Sequence, residues 1–232
     1  SALRNPINLA KSLATLDRLS NGRLIVGVGL GNASSIKALG AFGITPQTRS
    51  SRFEEGIVLL KKLWTGAPVT HDGHFYQTNS LFISPQPVQK PHPPIWFGSH
   101  GQAALKRAAR LGDGWMEAGA RSTQTLQEEM QLLKKFLVEE KRDPSTFTFS
   151  KRVIIAVDKD RETALKRLKE WFVAHGESSE DAEKVTVFGT PDDCIEGLTA
   201  VADTGIDMVA LEPVQNYEEQ AERLAKEVIP RV

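Results

Sequence analysis

Leu9, Leu13 and Leu16 recur at i, i+4 and i+7 behind an Asn5-Pro6 pair, which supplies an N-cap and a first-turn proline. Together they predict a helix, and Asn21-Gly22 closes it. The unbroken apolar run from Leu24 to Val28 predicts a strand buried on both faces. A glycine-rich, polar loop is expected over 29–52. Phe53, Ile57, Leu60 and Trp64 then share one helical face.

Residues 65–93 change character. Asp72-Gly73 lies between Val69-Thr70 and Phe75-Tyr76 and predicts a hairpin, and Pro85, Pro87, Pro91, Pro93 and Pro94 force an extended path after it. Ile95–Gly98 predicts a buried strand and Gln102–Leu111 a helix; Gly114–Met116 is a short third strand. A helix over 123–142 aligns Leu126, Met130, Leu133 and Leu137. Val153–Val157 is the fourth strand, followed by a helix over 161–174. Thr190-Pro191-Asp192-Asp193 opens a capped helix that ends at Gly205. Met208–Leu211 is the fifth strand and Glu218–Val228 the last helix. Alternating strands and helices imply right-handed crossovers and a parallel sheet. Five strands suit either an open doubly wound sheet or part of a β/α barrel.

Composition narrows the partners. The 232 residues carry 29 Lys+Arg and 29 Asp+Glu, and this zero net charge disfavours nucleic acid and membrane surfaces as partners. A single cysteine, Cys194, forms no internal disulfide, which fits a reducing, cytoplasmic compartment; within a predicted helix it reads as a small buried hydrophobe. The apolar runs are too short to span a bilayer.

Candidate chemistry is concentrated after two strands. Gly27-Val28-Gly29-Leu30-Gly31 follows the first, but Asn32 and Ser34 stand where a dinucleotide fingerprint needs glycine; an NAD-binding open sheet is the reading this disfavours. Such a strand end still admits a planar ring close to the backbone. Gly98-Ser99-His100-Gly101 lies between a strand and a helix, where amide N–H groups and a hydroxyl suit a phosphate. It is not a hydrolase nucleophile elbow, because GxSxG is not spelled across the turn. Arg49 and Arg52 precede the Phe53 helix and read either as phosphate contacts or as solvated charges. His71 and His74 bracket the hairpin turn with no third ligand at fixed spacing, so no metal site is expected.

The segments RNPINLAKSLATLDRLSNGRLIVGVGLG (4–31), RFEEGIVLLKKLW (52–64), PVQKPHPPIWFGS (87–99), AALKRAARLGDGW (103–115) and FGTPDDCIEGLTAVADTGIDMVAL (188–211) together resemble the luciferase-like family of flavin- and deazaflavin-dependent oxidoreductases. The resemblance spans almost the whole chain. It implies a single domain over 1–232 on a (β/α)8 TIM barrel, with about five of the eight strands present, the first three βα units absent and an insertion near 65–93. Such a fragment would expose open sheet edges and is expected to be poorly stable or prone to aggregate alone.

By the same resemblance, the cofactor is reduced FMN or coenzyme F420, with F420 slightly preferred for the PPIWFGS…DGW style. Gly29 and Gly31 would border its ring. Gly98, Ser99, Gly101 and Gln102 would hold its phosphate, with Arg52 as the basic contact. His100 and Arg121 would meet the cofactor tail or an anionic substrate, His100 being the candidate catalytic group, and Trp115 would pack the barrel end. Many members carry an acid between the glycine loop and the next Phe-Gly; residues 32–42 contain none. The implied activity is monooxygenation with FMN and O2, or hydride transfer with F420, on a small organic substrate. A flavin reductase would serve the FMN case, and a homodimer is the assembly suggested. The alternative is a non-catalytic flavin-binding or partner subunit on the same scaffold.

Overall fold

A computed structural model of the chain describes residues 4–31, 39–117, 121–176, 178–180 and 182–232. It divides into two compact units: Ser1–Gly98 with Arg107–Gly114, and Ser99–Lys106 with Trp115–Val232. Among the described residues, no helix is long and apolar enough to cross a membrane.

The first unit opens with helix α1 (Pro6–Leu19), capped by Asn5, whose side chain accepts from the N–H of Ile7. Its buried face differs from the leucine stripe expected: Ala10, Ala14 and Asp17 are fully buried, while Leu16 is 48% exposed. The spacing of the leucines marks the helix, but the small alanines mark the side that helix α2 (Pro46–Leu63) approaches. Just after α2, the Trp64 indole donates to the Ala10 carbonyl at 3.0 Å. Asp17 is buried because it is bonded: its carboxylate accepts from Val88 N (2.7 Å), Gln89 N (3.0 Å) and Gln89 Nε2 (2.7 Å), fixing the proline-rich segment.

Helix α2 begins seven residues before Phe53, the first residue expected in it. Thr45 before Pro46 and Thr48 after it form a capping box, a start signal that the polar composition of residues 46–52 conceals. Strand β1 (Val26–Val28) is shorter than the apolar run and is not buried on both faces. Val26 and Val28 are buried, whereas Gly27 and Ile25 are exposed. The hairpin is present as antiparallel β2 (Val69–Asp72) and β3 (Gln77–Leu81). It is tied to α2 by Glu55, which accepts from the N–H groups of Phe75 and Tyr76. Strand β4 (Ile95–Gly98) runs parallel to β1, with Val26 opposite Ile95 and Val28 opposite Phe97. Helix α3 (Gln102–Leu111) follows it and straddles the division between the units.

In the second unit, strand β5 (Gly114–Glu117) is followed by helix α4 (Thr123–Glu139) and the ten-residue strand β6 (Thr148–Val157). Around β6 stand helix α5 (Arg161–Ala174), the short helix α6 (Ala182–Val185), strand β7 (Val187–Gly189), helix α7 (Pro191–Ala202) and strand β8 (Met208–Pro213). Both β7 and β8 pair with β6 in parallel. The five expected strands correspond to β1, β4, β5, β6 and β8; β7 is a short addition. Strand β6 is buried on both faces. Val153, Ile155 and Val157 pack with Cys194, Leu198 and Val201, while Ile154 and Ala156 pack with Leu168, Phe172 and Phe188. Helix α8 (Tyr217–Arg223) continues into a π turn. Its buried Gln220 bonds both the N–H (2.9 Å) and the C=O (2.8 Å) of Val157 through one carboxamide.

Candidate active site

In the first unit, the glycines singled out lie where two strand ends approach. A Cβ on Gly29 would stand 3.3 Å from the Gly98 carbonyl oxygen, tighter than ordinary packing, so glycine keeps the ends of β1 and β4 together. Gly31 is exposed; residues 32–38, most of the polar stretch after it, lie outside the described residues. Arg52 falls inside α2. Its guanidinium lies over the rings of Phe75 (5.7 Å) and Tyr76 (5.2 Å), and its Nε is buried without a hydrogen-bond partner. Arg49 likewise has a buried, unpartnered Nη1. Burial raises the Tyr76 phenol, against the opposing pull of Arg52. His71 pairs with Glu55 at 3.4 Å, and His74 meets the Phe75 ring edge-on. No group of three or more metal-ligating side chains occurs among the described residues.

The second unit holds Ser99, His100, Gly101 and Gln102 in the turn from β4 into α3. Gly101 takes φ +77°, and its carbonyl starts the helix by accepting from Ala104 and Leu105. The Ser99 carbonyl accepts from the indole of the fully buried Trp115 at 2.8 Å, while the Ser99 hydroxyl oxygen is buried with no hydrogen-bond partner. Gln102 is exposed.

His100 stands among carboxylates. Its Nδ1 is 3.1 Å from Glu129 Oε2, on α4, and the other oxygen of Glu129 accepts the Gly101 N–H at 3.0 Å. Its Nε2 is 3.7 Å from Glu117 Oε1, beyond hydrogen-bonding distance. Glu117 is the last residue of β5 and fully buried; its Oε2 takes a 2.5 Å bond from Lys151 Nζ on β6. Lys151 also donates to the carbonyl of Arg121 at 3.1 Å, which fixes the backbone at that exposed residue. The result is a chain of charged and ionisable groups, Lys151–Glu117–His100–Glu129, running from a sealed ion pair to a half-buried imidazole.

Of this group, only His100 is prominent in the sequence. Glu117 could have been noticed as a charge ending the apolar strand Gly114-Trp115-Met116. Lys151 and Glu129 carry no local signal, because their partners are distant in the chain.

A model of the family described as luciferase-like monooxygenase matches residues 1–208. The chain belongs to that family. Among luciferase-like relatives, it is 26% identical to the F420-dependent glucose-6-phosphate dehydrogenase of Gordonia bronchialis, over 98% of this chain and 74% of that protein. It is 24% identical to the FMNH2-dependent dimethylsulfone monooxygenase of Pseudomonas putida, over 98% and 71%. A shorter match, 40% identical over 113 residues, is to an uncharacterized protein of Mycobacterium bovis; it spans 48% of this chain and 39% of that one. Among solved structures, the chain shares its fold with an F420-dependent secondary alcohol dehydrogenase in complex with an F420-acetone adduct, at a TM-score of 0.85 and 22% identity, covering 98% of this chain and 75% of the other. The architecture left open by the strand count is therefore the α/β fold, with parallel strands, of this family.

Proposed function

We propose that this luciferase-like chain contributes strands of a (β/α)8 barrel and acts as an oxidoreductase that binds reduced F420, or else reduced FMN, at the turn after β4. Its substrate on this reading is a small organic molecule. The observation that carries the proposal is the buried, unpartnered hydroxyl of Ser99, an orphaned polar atom at the start of a helix. A cofactor phosphate would satisfy it.

The fit is selective. The Gly101 N–H already serves Glu129, so Ser99 is the contact assigned here, and Gly101 shapes the turn without donating to the phosphate. Arg52, engaged with the hairpin aromatics, is not assigned to the phosphate. When bound, the cofactor would supply a hydride in the deazaflavin case, or react with O2 in the flavin case. The protein's part is to orient it, to exclude water with Trp115 and its neighbours, and to handle protons.

F420 is placed first because F420-dependent relatives, at 26% and 25% identity, stand slightly ahead of the FMNH2-dependent one at 24%, all three aligning over 98% of the chain. If FMN is the cofactor, a flavin reductase is the expected partner. Anaerobic titration of the protein with reduced F420 and reduced FMN, followed by absorbance and calorimetry, tests the reading. Preference for F420 supports hydride transfer and preference for FMN supports oxygenation. Binding of neither by a folded sample overturns the proposal and favours a non-catalytic subunit.

A further inference from the structure

We infer that Asn21 is a site of spontaneous deamidation, guarded by the turn that closes α1, and that its conversion releases the proline-rich segment from that helix. The residue pair involved answers a demand of the fold. Asn21 and Gly22 follow one another with φ +53° and +75°, two consecutive left-handed residues, and asparagine and glycine tolerate that conformation best. The same pair is open to cyclisation, because glycine has no side chain to hinder attack of its backbone nitrogen on the preceding carboxamide. Asn21 is exposed, so water reaches that carboxamide.

The step balances without oxidant or reductant. The Gly22 nitrogen gives its proton to solvent, and its electron pair forms a bond to Asn21 Cγ. The carboxamide C–N bond breaks, and the group leaves as ammonia after taking a proton from solvent. Water then opens the cyclic imide. Breaking the bond to Cγ leaves an aspartyl residue. Breaking the bond to the main-chain carbonyl leaves an isoaspartyl residue, whose main chain runs through Cβ and Cγ and is longer by a carbon.

In the folded chain the attacking nitrogen is engaged. The Gly22 N–H donates to the Asp17 carbonyl at 2.9 Å and the Asn21 N–H to the Arg18 carbonyl at 3.0 Å, which closes the helix. Cyclisation must break the first of these bonds, so its rate follows local opening of the turn. Asp17 links that opening to the proline-rich segment. Its carbonyl holds Gly22, while its buried carboxylate holds Val88 and Gln89. Gln89 Nε2 also donates to the Leu24 carbonyl at 2.8 Å, and a Cβ on Gly22 would lie 3.4 Å from Gln89 Cγ. Turn and segment are therefore packed on each other. An isoaspartyl link lengthens the main chain at that contact and adds a carboxylate at the negative end of α1, against the helix dipole.

The first readout is chemical. The folded chain is held at mildly alkaline pH in heavy-oxygen water, then digested with trypsin and weighed by mass spectrometry. The peptide Leu19–Arg23 should accumulate labelled aspartyl and isoaspartyl forms, whereas the peptide carrying Asn8, within α1 and followed by leucine, should not. Unfolding in urea should raise the rate at Asn21 by at least about fivefold, the factor expected when an ordinary hydrogen bond no longer restrains the nitrogen. Equal rates in the folded and unfolded chain overturn the guard. No label at Asn21 in the folded chain over about a hundred unfolded half-lives overturns the site.

The second readout is structural. In aged protein, hydrogen exchange at Val88 and Gln89 should be faster than in fresh protein, in proportion to the isoaspartyl content. Asn21→Gly keeps the left-handed turn and has no carboxamide, so it should show no such acceleration when aged alongside. Unchanged exchange in aged wild type, or equal acceleration in the variant, overturns the coupling to the proline-rich segment.

Discussion

Glu117 and Lys151 close a 2.5 Å ion pair between the end of β5 and the beginning of β6, with side-chain exposures of 0% and 4%. The attraction of such a pair only roughly offsets the cost of taking both charges out of water, so its loss is felt mainly through the partner left behind. Lys151→Met is expected to destabilise the protein by about 3–5 kcal/mol, because it removes the buried cation that balances the Glu117 carboxylate. Adding Glu117→Met to it should recover much of that loss. Urea unfolding of both single variants and the double variant gives the coupling; additive losses would show that the pair does not act as a unit.

Asp17 is the anchor of the proline-rich segment. Asp17→Ala removes three hydrogen bonds to a charged acceptor and leaves the N–H groups of Val88 and Gln89 short of a partner, at a cost of about 2–4 kcal/mol. Hydrogen exchange at Val88 and Gln89 should accelerate more than exchange within β6. Equal acceleration everywhere would mean that the segment opens only when the whole chain does.

At Gly73 the space for a side chain is already filled. A Cβ there would lie 2.1 Å from Glu55 Oε1 and 2.5 Å from His71 Nε2. Gly73→Ala must therefore displace the carboxylate that accepts from Phe75 and Tyr76, and should cost about 1–3 kcal/mol. Glu55→Gln at the same site should cost less, because the shape of the acceptor is kept. Thermal melts of the two variants compare them directly.

Acid stability follows from Asp158. Burial works to raise its carboxyl, but the Lys159 N–H and the Arg167 guanidinium, 2.5 Å away, outweigh burial and hold it below the ordinary aspartate range. A folded-state value below the unfolded one gives stability that is present above about pH 4 and is lost as the pH falls through the folded value. Asp158→Asn should therefore be less stable than wild type at pH 7, and the gap should narrow as the pH falls below the ordinary aspartate value. A gap independent of pH would exclude the carboxylate as its source.

Burial pushes the Cys194 thiol up to about 12. Since the thiolate is the reactive form, native protein should resist iodoacetamide at pH 8 and label only as it unfolds. Labelling at a free-thiol rate under native conditions would place Cys194 at an accessible surface.

The sequence was most legible where structure is local. The caps at Asn5 and Thr190, and the apolar runs that become β4 and the heart of β6, each carry their signal within a few residues. The buried face of α1 was misleading because leucine spacing reports helical period, whereas Ala10 and Ala14 are chosen by the closeness of a neighbouring helix. Strand β7, three residues long, is too short to show a period at all. The candidate site was half legible. Ser99, His100 and Gly101 stand together in one turn, but Glu117 and Lys151 are 34 residues apart, and only folding brings them together.

Gln220 bears on the order in which the molecule can be completed. Its carboxamide supplies a donor and an acceptor to Val157, 63 residues earlier in the chain. A chain leaving the ribosome therefore exposes the tip of β6 until helix α8 has emerged. The clamp at that tip forms only well after β6 itself has been made, and interruption of synthesis before residue 220 would release a chain whose strand β6 still has its end unfastened.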